Sequence, residues 1–126
     1  MLVKNNIDIE KMRIPGLVHQ TLAGPRDGMK DFEVWMQTIA PGQGTPMHKH
    51  DCEEVVVVFR GSGIVRLENR ESKFGPDSTL VIERNVVHQI VNSGETDMFA
   101  IGVLGMAPAD VRHPDDRPLP LPWDQK

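Results

Sequence analysis

The stretch Gly42–Gly61, GQGTPMHKHDCEEVVVVFRG, sets His48, His50 and Glu54 directly ahead of four consecutive valines. Residues two apart on an extended chain project from the same face, so His48 and His50 converge on one point. Glu54 keeps that parity, and Val56 and Val58 continue it as long as no bulge intervenes. The even-numbered side then carries metal-binding groups at one end and aliphatic packing at the other. One face of one segment supplies both a site and its dry wall.

Outward from this segment, strand signals recur at short intervals. DFEVWMQTI alternates Phe32, Val34 and Met36 against Glu33, Trp35 and Gln37, the period of a half-buried strand, and APGQG breaks it. GSGIVRLENR begins with a turn and runs into Ile64 to Leu67, while STLVIERN, VHQIVN and DMFAIGVLG follow, with the turn residues Asn92-Ser93-Gly94 between the last two. Many short strands without βαβ alternation predict an all-β sandwich, barrel or jelly roll. The tail RHPDDRPLPLPWDQK, from residue 112 to 126, carries proline at 114, 118, 120 and 122, which excludes helix interior and central strand and predicts an extended, polyproline-like arm. Neither a repeat nor a linker divides the 126 residues, so 1–126 reads as one domain.

A net charge of -4 advertises no nucleic-acid surface. The longest apolar runs, VVVVF and FAIGVLG, are far short of a membrane span. MLVKNNIDIEKMR lacks the hydrophobic stretch and cleavage site of a secretory signal, and the single cysteine, Cys52, has no partner for an intramolecular disulfide. Together these predict a cytoplasmic protein whose partners are small molecules, metals or a second copy, with no nucleic acid and no membrane.

Two imidazoles and a carboxylate leave a first-row divalent metal short of its usual ligands. His88 is the best fourth candidate, because VVHQIVN places His88, Ile90 and Asn92 on one face of a later strand. Three neutral imidazoles and one carboxylate leave about one net positive charge on such an ion, together with open coordination positions. That favours a small anionic ligand. His19 and His113 are isolated and read as solvated or structural, Cys52 as a small buried thiol, and Glu53 as pointing away from the cluster.

These residues resemble the cupin superfamily. G-x5-H-x-H-x3-E-x6-G, from Gly42 through His48, His50 and Glu54 to Gly61, is similar to its first motif, and His88 to Asn92, H-x3-N, to the end of its second. The P-x-G that normally precedes the second-motif histidine reads Glu83-Arg84-Asn85 here, and asparagine tolerates the positive φ that glycine would supply. The resemblance implies a double-stranded β-helix, the cupin jelly-roll barrel, often a homodimer, with His48, His50, Glu54 and His88 as metal ligands. Within that superfamily GMKDFEVWMQTIAPGQGTPMHKHDCEEV, HQIVN and PWD resemble the plant auxin-binding family, from about His19 to Asp124. This likeness implies a zinc ion that holds the carboxylate of an indole or aryl acid, with Gln37, Thr45, Pro46 and Trp123 around it. Val56 takes a position that is aromatic in the plant proteins. Zinc is the first expectation. Iron, manganese or nickel stay open, and with them a metal-dependent oxygenase, isomerase or decarboxylase of a small organic acid, as does a purely structural metal.

Overall fold

A computed structural model describes residues 1–125. Its regular elements are the strands β1 (Met12–Ile14), β2 (Leu17–Ala23), β3 (Glu33–Ile39), β4 (Glu54–Arg60), β5 (Gly63–Arg66), β6 (Glu71–Phe74), β7 (Ser78–Ile82), β8 (Gln89–Asn92) and β9 (Met98–Leu104), with short 3-10 turns at Asn6–Asp8 and Pro25–Asp27. All pairings are antiparallel. The larger sheet runs β1-β2-β3-β9-β4-β7 and the smaller β6-β5-β8. This is the all-β fold that the strand spacing predicts and the jelly roll that the cupin resemblance implies.

The alternation of side chains fixes which faces meet. In β4, Glu54, Val56 and Val58 are buried while Val55 and Phe59 are exposed, so the even-numbered face points inward as the spacing requires. In β3 the inward set is Glu33, Trp35 and Ile39, and Phe32 faces out. Met98, Ala100 and Leu104 of β9 complete the interior against both neighbours, and Leu104 pairs with Glu33 on one side and Glu54 on the other. The one register shift in β4 falls between Val58 and Arg60, beyond the buried run, so it leaves the parity of residues 54 to 58 intact.

The sheets are joined where the second-motif residues meet the segment ahead of β4. Thr45 N–H donates to the Ile90 carbonyl at 2.9 Å, and Ile90 N–H donates to Thr45 Oγ1 at 3.0 Å. The Asn92 side chain, fully buried, donates to the Ile39 and Thr96 carbonyls and accepts from Gly94 N–H, so its amide is satisfied on both sides. Gly63 is required by close approach: a Cβ there would lie 2.4 Å from Phe74 Cζ and 2.6 Å from the Val91 carbonyl oxygen. Asn85 takes φ 63°, the left-handed conformation anticipated for the turn before His88, and its N–H donates to the His50 carbonyl at 2.8 Å.

The proline-rich tail contains neither a helix nor a named strand among the described residues, but it is not one extended run. It turns back at His113, whose N–H bonds the Arg117 carbonyl, and Arg112 bridges both Lys49 and Pro118. Prolines at 114, 118, 120 and 122 stiffen the chain without preventing the reversal, because the turn residue Asp116 adopts φ 73°. Lys126 lies outside the described residues.

Core parity makes a direct prediction. Leu104→Ala, at a fully buried position, costs about 2–5 kcal/mol of unfolding free energy by urea titration. Val3→Ala, at a position 81% exposed, changes it by less than about 0.5 kcal/mol.

Candidate metal centre

His48 and His50 lie on an irregular segment just before β4, Glu54 opens β4, and His88 precedes β8. Backbone pairing brings the ends together: His48 and His88 exchange N–H···O=C bonds of 3.0 and 2.9 Å as an isolated antiparallel bridge. One ligand atom from each of His48, His50, Glu54 and His88 then falls within 4.8 Å of the others. All four residues are buried, with exposures of 7%, 2%, 6% and 1% respectively.

The histidine tautomers follow from their outer partners. Nδ1–H of His48 donates to the Pro46 carbonyl at 2.6 Å, that of His50 to Asp110 at 2.7 Å, and that of His88 to Val86 at 2.8 Å. A carbonyl can only accept, so each Nδ1 carries a proton, and a ring in its neutral form then keeps its lone pair on Nε2. Burial holds the His48 imidazole down at about 3, reinforced by the neighbouring His88 and His50 rings, and burial likewise lowers His50. Burial alone would push the Glu54 carboxyl up, whereas a hydrogen bond from His88 and positive charge on His88 and His50, present only when those rings take up a second proton at Nε2, outweigh it and hold the group below its usual range.

His50 Nε2, His88 Nε2 and Glu54 Oε1 are buried with no hydrogen-bond partner among the described residues. They face one another instead, at 3.6 Å from His50 to Glu54 and 3.2 Å from His88. Orphaned lone pairs cost free energy unless something satisfies them. A divalent cation does so. Bonds of about 2.1 Å space its donors roughly 3–4 Å apart, near the separations seen here. The residues fit a metal, and their mixed nitrogen and oxygen donors suit a first-row ion.

Beside these groups lies a cavity lined by Gln37, Thr45, Pro46, Val56 and Trp123, all five of the positions that the resemblance implied. Its remaining wall is largely apolar and includes Leu17, Trp35, Ile39, Val111, Leu119 and Leu121. Trp35 and Ile39 were available to sequence reasoning, since they share the parity of Gln37 on β3. Val111, Leu119 and Leu121 were not, because they reach the cavity through the reversal of the tail. Gly102 gives Glu54 its room: a Cβ there would stand 3.3 Å from Glu54 Oε2. Cys52 is buried, with its thiol pushed up to about 11 by burial, and does not join the cluster. Glu53 is exposed, as parity requires, and His113 is half-buried in the tail.

The low imidazole values fix a pH dependence. An unfolded histidine titrates near 6.5, whereas folded His48 titrates at about 3, so below pH 6.5 the unfolded chain binds more protons. The metal-free protein therefore loses stability progressively as pH falls from about 6.5 toward 3. Urea midpoints of the chelated protein measured across this range check it.

The family model described as auxin binding protein matches residues 1–122. Auxin-binding protein T85 of Nicotiana tabacum is 43% identical over 117 residues, covering 83% of this chain and 63% of the tobacco protein, so the chain spans less than two thirds of that relative. Among solved structures, the polyketide cyclase RemF of Streptomyces resistomycificus superposes with a TM-score of 0.72 at 24% identity, covering 98% of this chain and 89% of the cyclase. A Cupin 2 conserved barrel domain protein of Salinispora arenicola superposes with a TM-score of 0.71 at 18% identity, covering 86% and 91% of the two chains. These two structures share the fold, and on the family model that matches residues 1–122 the chain belongs to the auxin-binding protein family.

Proposed function

We propose that this protein binds a divalent metal, zinc in the first instance, through His48, His50, Glu54 and His88, and through it the carboxylate of a small aryl or indole acid. The observation that carries this reading is the orphaned set of buried donor atoms at the edge of an apolar cavity. A bound zinc ion supplies a Lewis-acidic position for an anion, while the apolar wall excludes water from an aromatic ring. Gln37 and Thr45 are the polar side chains of the wall outside the ligand set and suit a carboxylate or ring substituent. The name of the tobacco relative agrees with an auxin-like acid as ligand.

The wall also supports binding ahead of turnover. Apart from His48, Glu54 and His88, no lining residue among those described carries an acidic or basic side chain. General acid–base chemistry on a bound acid would then have to recruit a metal ligand, which supports capture over catalysis. Loading with iron, manganese or nickel and following small organic acids for consumption tests the enzymatic alternative.

The outer face of the larger sheet supports the expected homodimer. Val55 lies between Val81 and Val103 across β7, β4 and β9, and these three valines are 37%, 72% and 38% exposed. A second copy covering this stripe would bury it.

Calorimetric titration of indole-3-acetate into zinc-loaded protein is expected to show saturable binding that chelation removes. His48→Ala should lose both the zinc and the acid, and retained acid binding in that variant would contradict the reading. Val81→Glu should shift the molar mass by light scattering from two chains to one.

A further inference from the structure

His19 is fully buried in β2, lies outside the ligand cluster, and does not line the cavity. A leucine would satisfy a plain core position here, whereas this imidazole uses both nitrogens and one face. Gln37 Nε2 lies 3.0 Å from His19 Nδ1, and His19 Nε2 lies 2.8 Å from Thr21 Oγ1. Burial holds the ring neutral by lowering its pKa to about 3. With the Gln37 amide donating, Nδ1 is the lone-pair nitrogen and Nε2–H donates to Thr21. One amide hydrogen of Gln37 is thereby occupied, which fixes the rotation of a side chain that faces the cavity.

The same ring stacks on Trp123, with centroids 4.0 Å apart and planes 7° from parallel. Trp123 sits in a tail without regular secondary structure, and its Nε1–H has no hydrogen-bond partner among the described residues. Its ring is therefore placed by packing. His19 covers one face, while Trp35 meets both rings edge-on, at 5.1 Å from His19 and 6.2 Å from Trp123. Trp35 is held in turn by its Nε1–H bond to Glu33 Oε1 at 2.8 Å. Farther along, the Gln125 side chain ties the tail to Arg26 N–H at 3.2 Å, an anchor that leaves the rotation of the Trp123 ring open.

We propose that His19 is a positioning residue that sets the Trp123 indole by stacking and the Gln37 amide by hydrogen bonding, so that one side chain aligns the aromatic and the polar grips of the cavity. The inference deepens the proposed binding function and rests on it for the identity of the ligand. Its two arms are separable by substitution. His19→Asn keeps an acceptor for Gln37 but removes the stacking face, and His19→Phe keeps a face but removes the acceptor.

The test uses the zinc-loaded full chain with indole-3-acetate and acetate as probes, alongside fluorine NMR of protein labelled with 5-fluorotryptophan. The chain has two tryptophans, and Trp123→Phe assigns their signals. His19→Asn is expected to weaken indole-3-acetate about five- to ten-fold and leave acetate within about two-fold, with the Trp123 signal shifted. His19→Phe is expected to weaken both acids by a common factor of about three- to ten-fold, with the Trp123 signal near its original position. Zinc stoichiometry stays unchanged in both variants. Wild-type affinities in either folded variant would overturn the proposal, as would equal losses for the two acids in His19→Asn. If one variant fails to fold, the other decides alone. If the wild-type protein binds neither acid, the binding function fails, and the fluorine signal then decides the positioning role: a Trp123 shift in His19→Asn but not in His19→Phe supports it, and its absence overturns it.

Discussion

The backbone bridge between His48 and His88 is the contact on which the rest depends. These residues are 40 positions apart in the chain, and their reciprocal N–H···O=C bonds close the space between the ends of two sheets. Once that bridge forms, parity does the remaining work. His50 and Glu54 follow on the same side as His48, while Ile90 and Asn92 follow His88, so one pairing delivers four donors and much of the cavity wall. The buried lone pairs left facing one another are costly in isolation. A metal ion converts that cost into affinity, which couples folding of the site to metal binding.

The tail completes the site from outside the barrel. Asp110, just ahead of it, orients His50 through its carbonyl, and Arg112 pairs with Lys49 between the first two histidines. Lys49 reaches Asp116 at 2.6 Å and Arg112 reaches Asp110 at 2.6 Å, polar ties at the rim that hold Val111, Leu119 and Leu121 against the cavity. The four donor residues and the apolar wall are thus mechanically continuous, since the segment that fixes an imidazole also roofs the pocket. Such outer partners fix the tautomer and orientation of the imidazoles they bond.

Much of this was legible in the sequence because the relevant spacings are short. The parity of residues 48 to 58 predicted the buried face of β4, and Asn85 announced its positive φ as the residue able to stand where glycine is usual. β2 was not legible. It buries His19 and Gln20 side by side, the latter with its amide on the Asn6 and Ile9 carbonyls, so polarity and alternation both misreport its burial. β6, Glu-Ser-Lys-Phe on a sheet edge, offers no hydrophobic period either. The path of the tail depends on contacts with Lys49 and His19, far away in sequence, and proline spacing alone cannot encode a reversal. From its isolation in the sequence His19 reads only as solvated or structural. Its position beneath Trp123 became visible only when β2, β3 and the tail were assembled.

Elemental analysis of the protein, purified without a metal-affinity resin and compared with His88→Ala prepared in parallel, tests the metal centre most directly. The account predicts close to one zinc ion per chain in the wild type and a near-complete loss in the variant. A wild-type protein that carries no metal and takes none up on zinc addition would contradict it, as would metal that persists at full stoichiometry without His88.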